Sequence, residues 1–166
     1  MQLTFSFAKK SDLENIIQTY NSTIASRLVT ADLETVSVES KQLWFDSHSS
    51  NKRPIWLVLL NDNYVGWMSF SSFYGRPAYD GTVEVSIYLE QHARGKGIGK
   101  KCLQKAIDVS AELKIKTLLG FIFDHNESSL NLFYNLGFEK WAHLPKIANM
   151  IDAERGLIIV GKRVGE

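Results

Sequence analysis

Hydrophobic residues in this chain change their spacing several times, and each change marks an element. Leu3, Phe5 and Phe7 alternate with polar residues, which predicts a strand over Gln2–Phe7. From Leu13 the period lengthens. Leu13, Ile16, Ile17 and Tyr20 share one face of a helix ending near Asn21, and Ser11-Asp-Leu-Glu14 has the spacing of a capping box at its start. Ser22–Val36 carries no regular period. Ser37 can cap a second helix over Val38–Ser47. The apolar run Ile55–Leu60 reads as a buried strand, and Asn61-Asp-Asn63 turns it into a returning strand, Tyr64–Ser71. Tyr74–Asp80, holding Gly75 and Pro77, is a loop. Over Gly81–Leu89 the alternation returns, with Val83, Val85, Ile87 and Leu89 on one side and Glu84, Ser86 and Tyr88 on the other.

A glycine-rich turn follows. A long helix is then predicted from Gly97 to Leu113, with Ile98, Cys102, Ala106, Val109 and Leu113 on its apolar face. Thr117–Phe123 is a strand. Asn126 can cap a helix that runs to Leu136 and stops at Gly137. Strands over Phe138–His143 and Gly156–Lys162 close the chain. The order βααβββαβαββ describes one α/β (α+β) domain over residues 1–166.

Composition narrows the classes. With 166 residues the chain is long enough to hide about two-thirds of its unfolded surface. A hydrophobic share of 45% and a net charge of +1 exclude intrinsic disorder. The same balance of 19 basic and 18 acidic residues argues against a nucleic-acid binder. No apolar run approaches the roughly 18 residues of a membrane span. The N-terminus lacks the pattern of a signal peptide, so the expected compartment is the cytoplasm. A single cysteine, Cys102, makes neither an internal disulfide nor a cysteine-rich metal site. It falls on the apolar helix face and reads as a small hydrophobe rather than a nucleophile. His48, His92, His125 and His143 show no ligand spacing, and no metal is expected.

The informative segment is Arg94-Gly-Lys-Gly-Ile-Gly99, set between a strand and a helix. Glycines let successive backbone N–H groups turn toward one point, and the helix N-terminus adds unsatisfied donors. Arg94, Lys96, Lys100 and Lys101 add positive charge. Two readings compete: a solvated surface turn, and a cradle for pyrophosphate. The spacing is not that of a dinucleotide fingerprint or a P-loop.

Arg-x-x-Gly-x-Gly after a strand and before a long helix resembles the acetyl-CoA loop of the GCN5-related N-acetyltransferases (GNAT). Downstream, Asn126-Glu-Ser-Ser129 leading to Phe133-Tyr134-Asn-Leu-Gly137-Phe138 resembles that superfamily's second cofactor segment. Within it the chain is similar to the phosphinothricin and methionine-sulfone acetyltransferase group, through Thr82-Val-Glu84-Val-Ser86-Ile-Tyr88 and through Gly137-Phe138 followed by His143-Leu-Pro145. That group often carries His where this chain has Tyr134.

The resemblance implies a GNAT-type fold, with a mixed, mostly antiparallel central sheet flanked by helices. It implies acetyl-CoA as co-substrate and a small-molecule amine as acceptor, probed first among amino acids and analogues such as phosphinothricin or methionine sulfone. It implies that Ile87, Tyr88 and Leu89 pair with the pantetheine arm, that Arg94, Gly95, Lys96, Gly97, Ile98 and Gly99 hold the pyrophosphate, and that Asn126 and Ser129 close the arm from the far side. Glu84 becomes the general base and a contact of the acceptor amine. Tyr134 becomes the proton donor to the thiolate, set against a plain packing role beside Phe133. Tyr74, Gly75, Arg76 and Tyr79 become the acceptor pocket, with Arg76 on a carboxylate. A homodimer is expected, and Trp44, Trp56, Trp67 and Trp141 read as core or interface residues. A catalytically silent acetyl-CoA-binding module and a protein or peptide N-terminal acetyltransferase are the alternative functions.

Overall fold

The computed structural model describes Met1–Glu166. Seven strands form one sheet: β1 (Leu3–Phe7), β2 (Ile55–Leu60), β3 (Asn63–Ser72), β4 (Thr82–Leu89), β5 (Thr117–Phe123), β6 (Glu139–Asn149) and β7 (Glu154–Arg163). Their order across the sheet is β1-β2-β3-β4-β5-β7-β6. Four helices accompany them: α1 (Leu13–Ser22), α2 (Gln42–Asp46), α3 (Ile98–Val109) and α4 (Glu127–Asn135). The predicted element order holds throughout.

Element ends depart from the sequence reading where side chains take other partners. No Ser11–Glu14 box forms. Instead the Asp12 carboxylate accepts from the Lys9 backbone N–H at 2.7 Å, and a short 3₁₀ turn precedes α1. Ser37 does cap its segment, its Oγ accepting from the Ser40 N–H at 3.1 Å. That segment splits into a 3₁₀ turn at Glu39–Lys41 and a short α2. Helix α3 stops at Val109, short of Leu113. The Ser110 hydroxyl bonds back to the Ala106 carbonyl, and Lys114 adopts a left-handed φ of 58°.

The main core lies between the sheet and helices α3 and α4, built on Val58, Met68, Phe70, Val83, Leu103 and Leu118. On the opposite face α1 covers Ile55 and Trp67 through Ile16. Alternation along β4 therefore sends Val83 and Val85 into the main core and Glu84, Ser86 and Tyr88 toward α1 and α2.

One pairing decides where function can sit. Every neighbouring pair in the sheet is antiparallel except β4 and β5, which run parallel. That parallel ladder covers only Thr82↔Thr117, Val83↔Leu118 and Glu84↔Leu119. Beyond Glu84 the strands diverge, while β4 stays paired to β3 as far as Leu89↔Gly66. The sheet opens as a fork with Glu84 at its apex.

Candidate active site

A groove of about 420 Å³ occupies the fork. One wall is β4 from Glu84 to Leu89, and the other is Phe121 and Ile122 of β5 with the first turns of α4. Strand residues alternate the side on which their backbone groups bond. The Glu90 N–H bonds to the Val65 carbonyl on β3, so Tyr88 and Ser86 also turn their backbones to β3. Ile87 and Leu89 turn theirs toward the open fork. The Leu89 carbonyl accepts from Arg94 Nε at 3.0 Å. Such a free edge accepts an extended, amide-bearing chain as an added strand. Of the three β4 residues expected on the pantetheine arm, Ile87 turns its N–H and carbonyl and Leu89 its N–H toward the open fork, whereas Tyr88 faces the groove with its backbone turned to β3.

At the groove's far end Gly95 and Gly97 take left-handed φ values of 72° and 75°, and a Cβ at either would meet nothing within 4 Å. Glycine is required there by backbone conformation, not by space. Gly97 is the N-cap of α3, and the following N–H groups have no intrahelical partner. Arg94, Gly95, Gly97, Gly99 and Lys100 line the groove. Lys96 does not, and the Ile98 side chain is buried in the core, which leaves Ile98 only its backbone for an anion. A helix N-terminus with free N–H groups beside Arg94 and Lys100 has the chemistry to hold an anion.

Asn126 and Ser129 both line the groove. Asn126 also holds structure together. Its Oδ1 caps α4 by accepting from the Ser129 N–H at 3.2 Å, and its Nδ2 donates to the Leu28 carbonyl at 3.3 Å. That second bond draws the irregular segment after α1 over the groove, so Thr23, Leu28 and Val29 become part of its lining. No periodicity announced those three residues.

Tyr134 is placed elsewhere. It is 37% exposed and absent from the groove wall. At about 100° per residue, the groove-facing residues Ser128, Ser129, Leu132 and Phe133 leave Tyr134 on roughly the opposite side of α4. Phe133 is the ring that faces the groove. It rests over Gly120, whose missing Cβ would lie 2.7 Å from the Phe133 ring. Tyr134 therefore neither packs in the core nor reaches the groove. Tyr134→Phe is expected to leave kcat within about twofold of wild type. A loss beyond tenfold in single-turnover kinetics would restore its acid role.

The loop Tyr74–Asp80 also turns away. Tyr74 is 77% exposed, Arg76 and Tyr79 are exposed, and no residue of Tyr74–Tyr79 lines the groove or the second cavity. Buried Arg53 clamps the loop's two ends, donating to Ser72 Oγ at 2.9 Å and to the Asp80 carbonyl at 2.8 Å. Tyr74, with a left-handed φ of 61°, and Tyr79 pack on Phe73 instead. Arg76 thus stands off the site that the sequence reading gave it.

Glu84 is half-buried at the fork's apex, opposite Ser71 of β3. Burial pushes its carboxyl above the ordinary range, the direction a base working near neutral pH needs. Burial pushes the Cys102 thiol up to about 12, which removes it as a nucleophile. His143 Nε2 lies 3.0 Å from Asp124 Oδ2, and neither residue lines the groove. Asp124 is held below its usual value chiefly by that contact.

A free strand edge, with a half-buried carboxylate at one end and a glycine-rich helix N-terminus at the other, suits an acyl thioester with a pyrophosphate. Residues 15–138 match the acetyltransferase (GNAT) family, and the chain belongs to that family. It is an acetyltransferase, and acetyl-CoA is the co-substrate that this groove fits. The chain is 45% identical over 163 residues to YwnH of Bacillus subtilis, provisionally named a phosphinothricin acetyltransferase, covering 98% of this chain and 99% of that one. It is 26% identical to the L-methionine sulfoximine/L-methionine sulfone acetyltransferase of Salmonella typhimurium, covering 87% and 85%. A phosphinothricin acetyltransferase from Sinorhizobium meliloti, solved with acetyl-CoA, superposes with a TM-score of 0.92 at 28% identity, covering 100% of this chain and 90% of that one.

Proposed function

We propose that this protein moves the acetyl group of acetyl-CoA to the α-amino group of a small amino acid or close analogue, of the phosphinothricin or methionine sulfone type, by direct attack in a ternary complex. The observation that carries the reading is Glu84. It is a half-buried carboxylate at the apex of the fork, on the strand face that turns toward α1 and α2. The relatives named above supply the acceptor class.

The steps assigned to this chain are few. Glu84, directly or through water, takes a proton from the acceptor ammonium as the general base. The freed amine attacks the thioester carbonyl carbon. A free β4 N–H stabilises the developing oxyanion, with that of Ile87 the first candidate. The C–S bond then breaks, the amide nitrogen releases its second proton, and the thiolate takes one. Phe133, not an acid, faces the groove from α4, so that proton comes from water or from Glu84 rather than from Tyr134.

The testing experiment follows CoA release with acetyl-CoA and a panel of amines: phosphinothricin, methionine sulfone, methionine sulfoximine, common amino acids and spermine. Saturable turnover confined to amino acids supports the reading. Turnover with the polyamine alone, or none at all, overturns it.

The enzyme is further proposed to act in the cytoplasm as a homodimer. Strand β6 closes the sheet with one unpaired edge and exposes Trp141 (46%), Leu144 and Ile147, an apolar surface that a second copy would cover. No helix is long and apolar enough to cross a membrane. Light scattering after size exclusion should give twice the 18.8 kDa chain mass, and Trp141→Glu should return it to one chain.

A further inference from the structure

A second cavity of about 110 Å³ lies on the α1 and α2 side of the sheet and shares Ser86 and Tyr88 with the cofactor groove. Its walls are aromatic: Trp67 stacks on Tyr88 with ring centres 4.8 Å apart, Trp44 meets Trp67 edge-on, and Tyr20 meets Tyr88 edge-on. The floor consists of hydroxyls. Register places Ser69 opposite Ser86 and Ser71 opposite Glu84 on this face. Ser71 is within 3.3 Å of His48 Nε2. Ser69 is 1% exposed, and its Oγ has no hydrogen-bond partner in the protein. A buried, unsatisfied hydroxyl is destabilising, and its natural complement is a ligand atom. At the rim stands Lys41, half-buried and in no ion pair. No acidic residue lines the cavity.

A cation without a counterion beside an unsatisfied hydroxyl specifies an anion. We propose that this chamber is the carboxylate subsite of the acceptor, with Lys41 as the charged partner and Ser69 as the hydroxyl donor. The inference rests on the acetyltransferase reading and goes beyond it by replacing Arg76 with Lys41. Ser86 lies two residues beyond Glu84, roughly 7 Å along the strand. An α-amino acid spans that interval with its ammonium toward Glu84 and its carboxylate toward Lys41. The aromatic walls exclude water and strengthen the charge pair.

The test compares methionine sulfone with its carboxamide in wild type, Lys41→Met and Ser69→Ala. Wild type should prefer the acid about 10- to 100-fold in kcat/KM, the range for a hydrogen bond to a charged group. Lys41→Met should bring the ratio close to one, with the KM for acetyl-CoA and the melting temperature unchanged. Ser69→Ala removes the orphaned hydroxyl, so it should hold or raise the melting temperature while raising the KM for the acid. A structural role alone would not separate those two readouts. If wild type discriminates and Lys41→Met discriminates equally, the chamber proposal falls while the enzyme reading stands. If wild type shows no preference for the acid, the chamber proposal also falls. If wild type acetylates no amino acid, both fall together.

Discussion

Glu84→Gln is expected to lower kcat about 10²- to 10⁴-fold while acetyl-CoA still binds. The size follows from what is removed. Glutamine keeps the side chain's volume at the fork's apex but cannot take a proton. Folding is not at risk. A carboxyl whose folded pKa is raised above its unfolded value destabilises the fold at pH values above that folded pKa, and the penalty fades as pH falls through it. At neutral pH the amide should therefore be neutral or stabilising. Activity runs the other way: kcat/KM should fall as pH drops through the raised Glu84 pKa, above the ordinary carboxylate value. Two measurements decide this. Acetyl-CoA should raise the melting temperature of Glu84→Gln as it does that of wild type. The acidic limb of the pH profile should be missing from the variant's residual rate. Wild-type turnover in the variant at any pH would remove Glu84 from the chemistry.

Gly120→Val is expected to have the largest effect on stability. Gly120 pairs with Val160 in the middle of β5 and is buried. A Cβ there would lie 2.7 Å from Phe133 Cε1 and 2.9 Å from Val160 Cγ2. Valine's strand preference is worth at most about 1 kcal/mol. Overpacking a dense core costs about 1–3 kcal/mol, and three added carbons against a ring held edge-on by Phe138 at 4.9 Å belong at the upper end. The clash wins. At about 2–4 °C per kcal/mol for a chain of this size, the melting temperature should fall by roughly 4–8 °C. Phe133 can yield only toward the groove, so the KM for acetyl-CoA should rise as well. An unchanged melting temperature would show that α4 is not held against β5 by this contact.

The chain's periodicities were enough to place every strand and helix in order. Alternation and helical spacing are local properties, and a half-buried strand or an amphipathic helix writes them directly into its own residues. The glycine-rich turn before α3 was legible for the same reason. Gly95 and Gly97 take left-handed backbone conformations in that turn, and Asn126 caps the helix that follows it. Glu84 was legible from its strand face and from resemblance together.

The rest depended on what folding brings together. Whether Tyr134 or its neighbour meets the groove is a matter of one residue's rotation about α4, and Phe133 has it because Gly120, on another strand, makes room. Arg76 looked like a pocket residue until Arg53, distant in sequence, pinned its loop outward. Leu28 and Val29 reached the groove through a bond from Asn126 that no local pattern encodes. Lys41, Ser69 and Ser86 come from three separate elements, and each alone reads as an ordinary polar residue. By itself the sequence determined the elements, their order and the glycine-rich turn before α3, because those rest on neighbours along the chain. Only the tertiary structure decided which side chains face the groove and the second cavity, because strand register and helix rotation are settled by packing between distant segments.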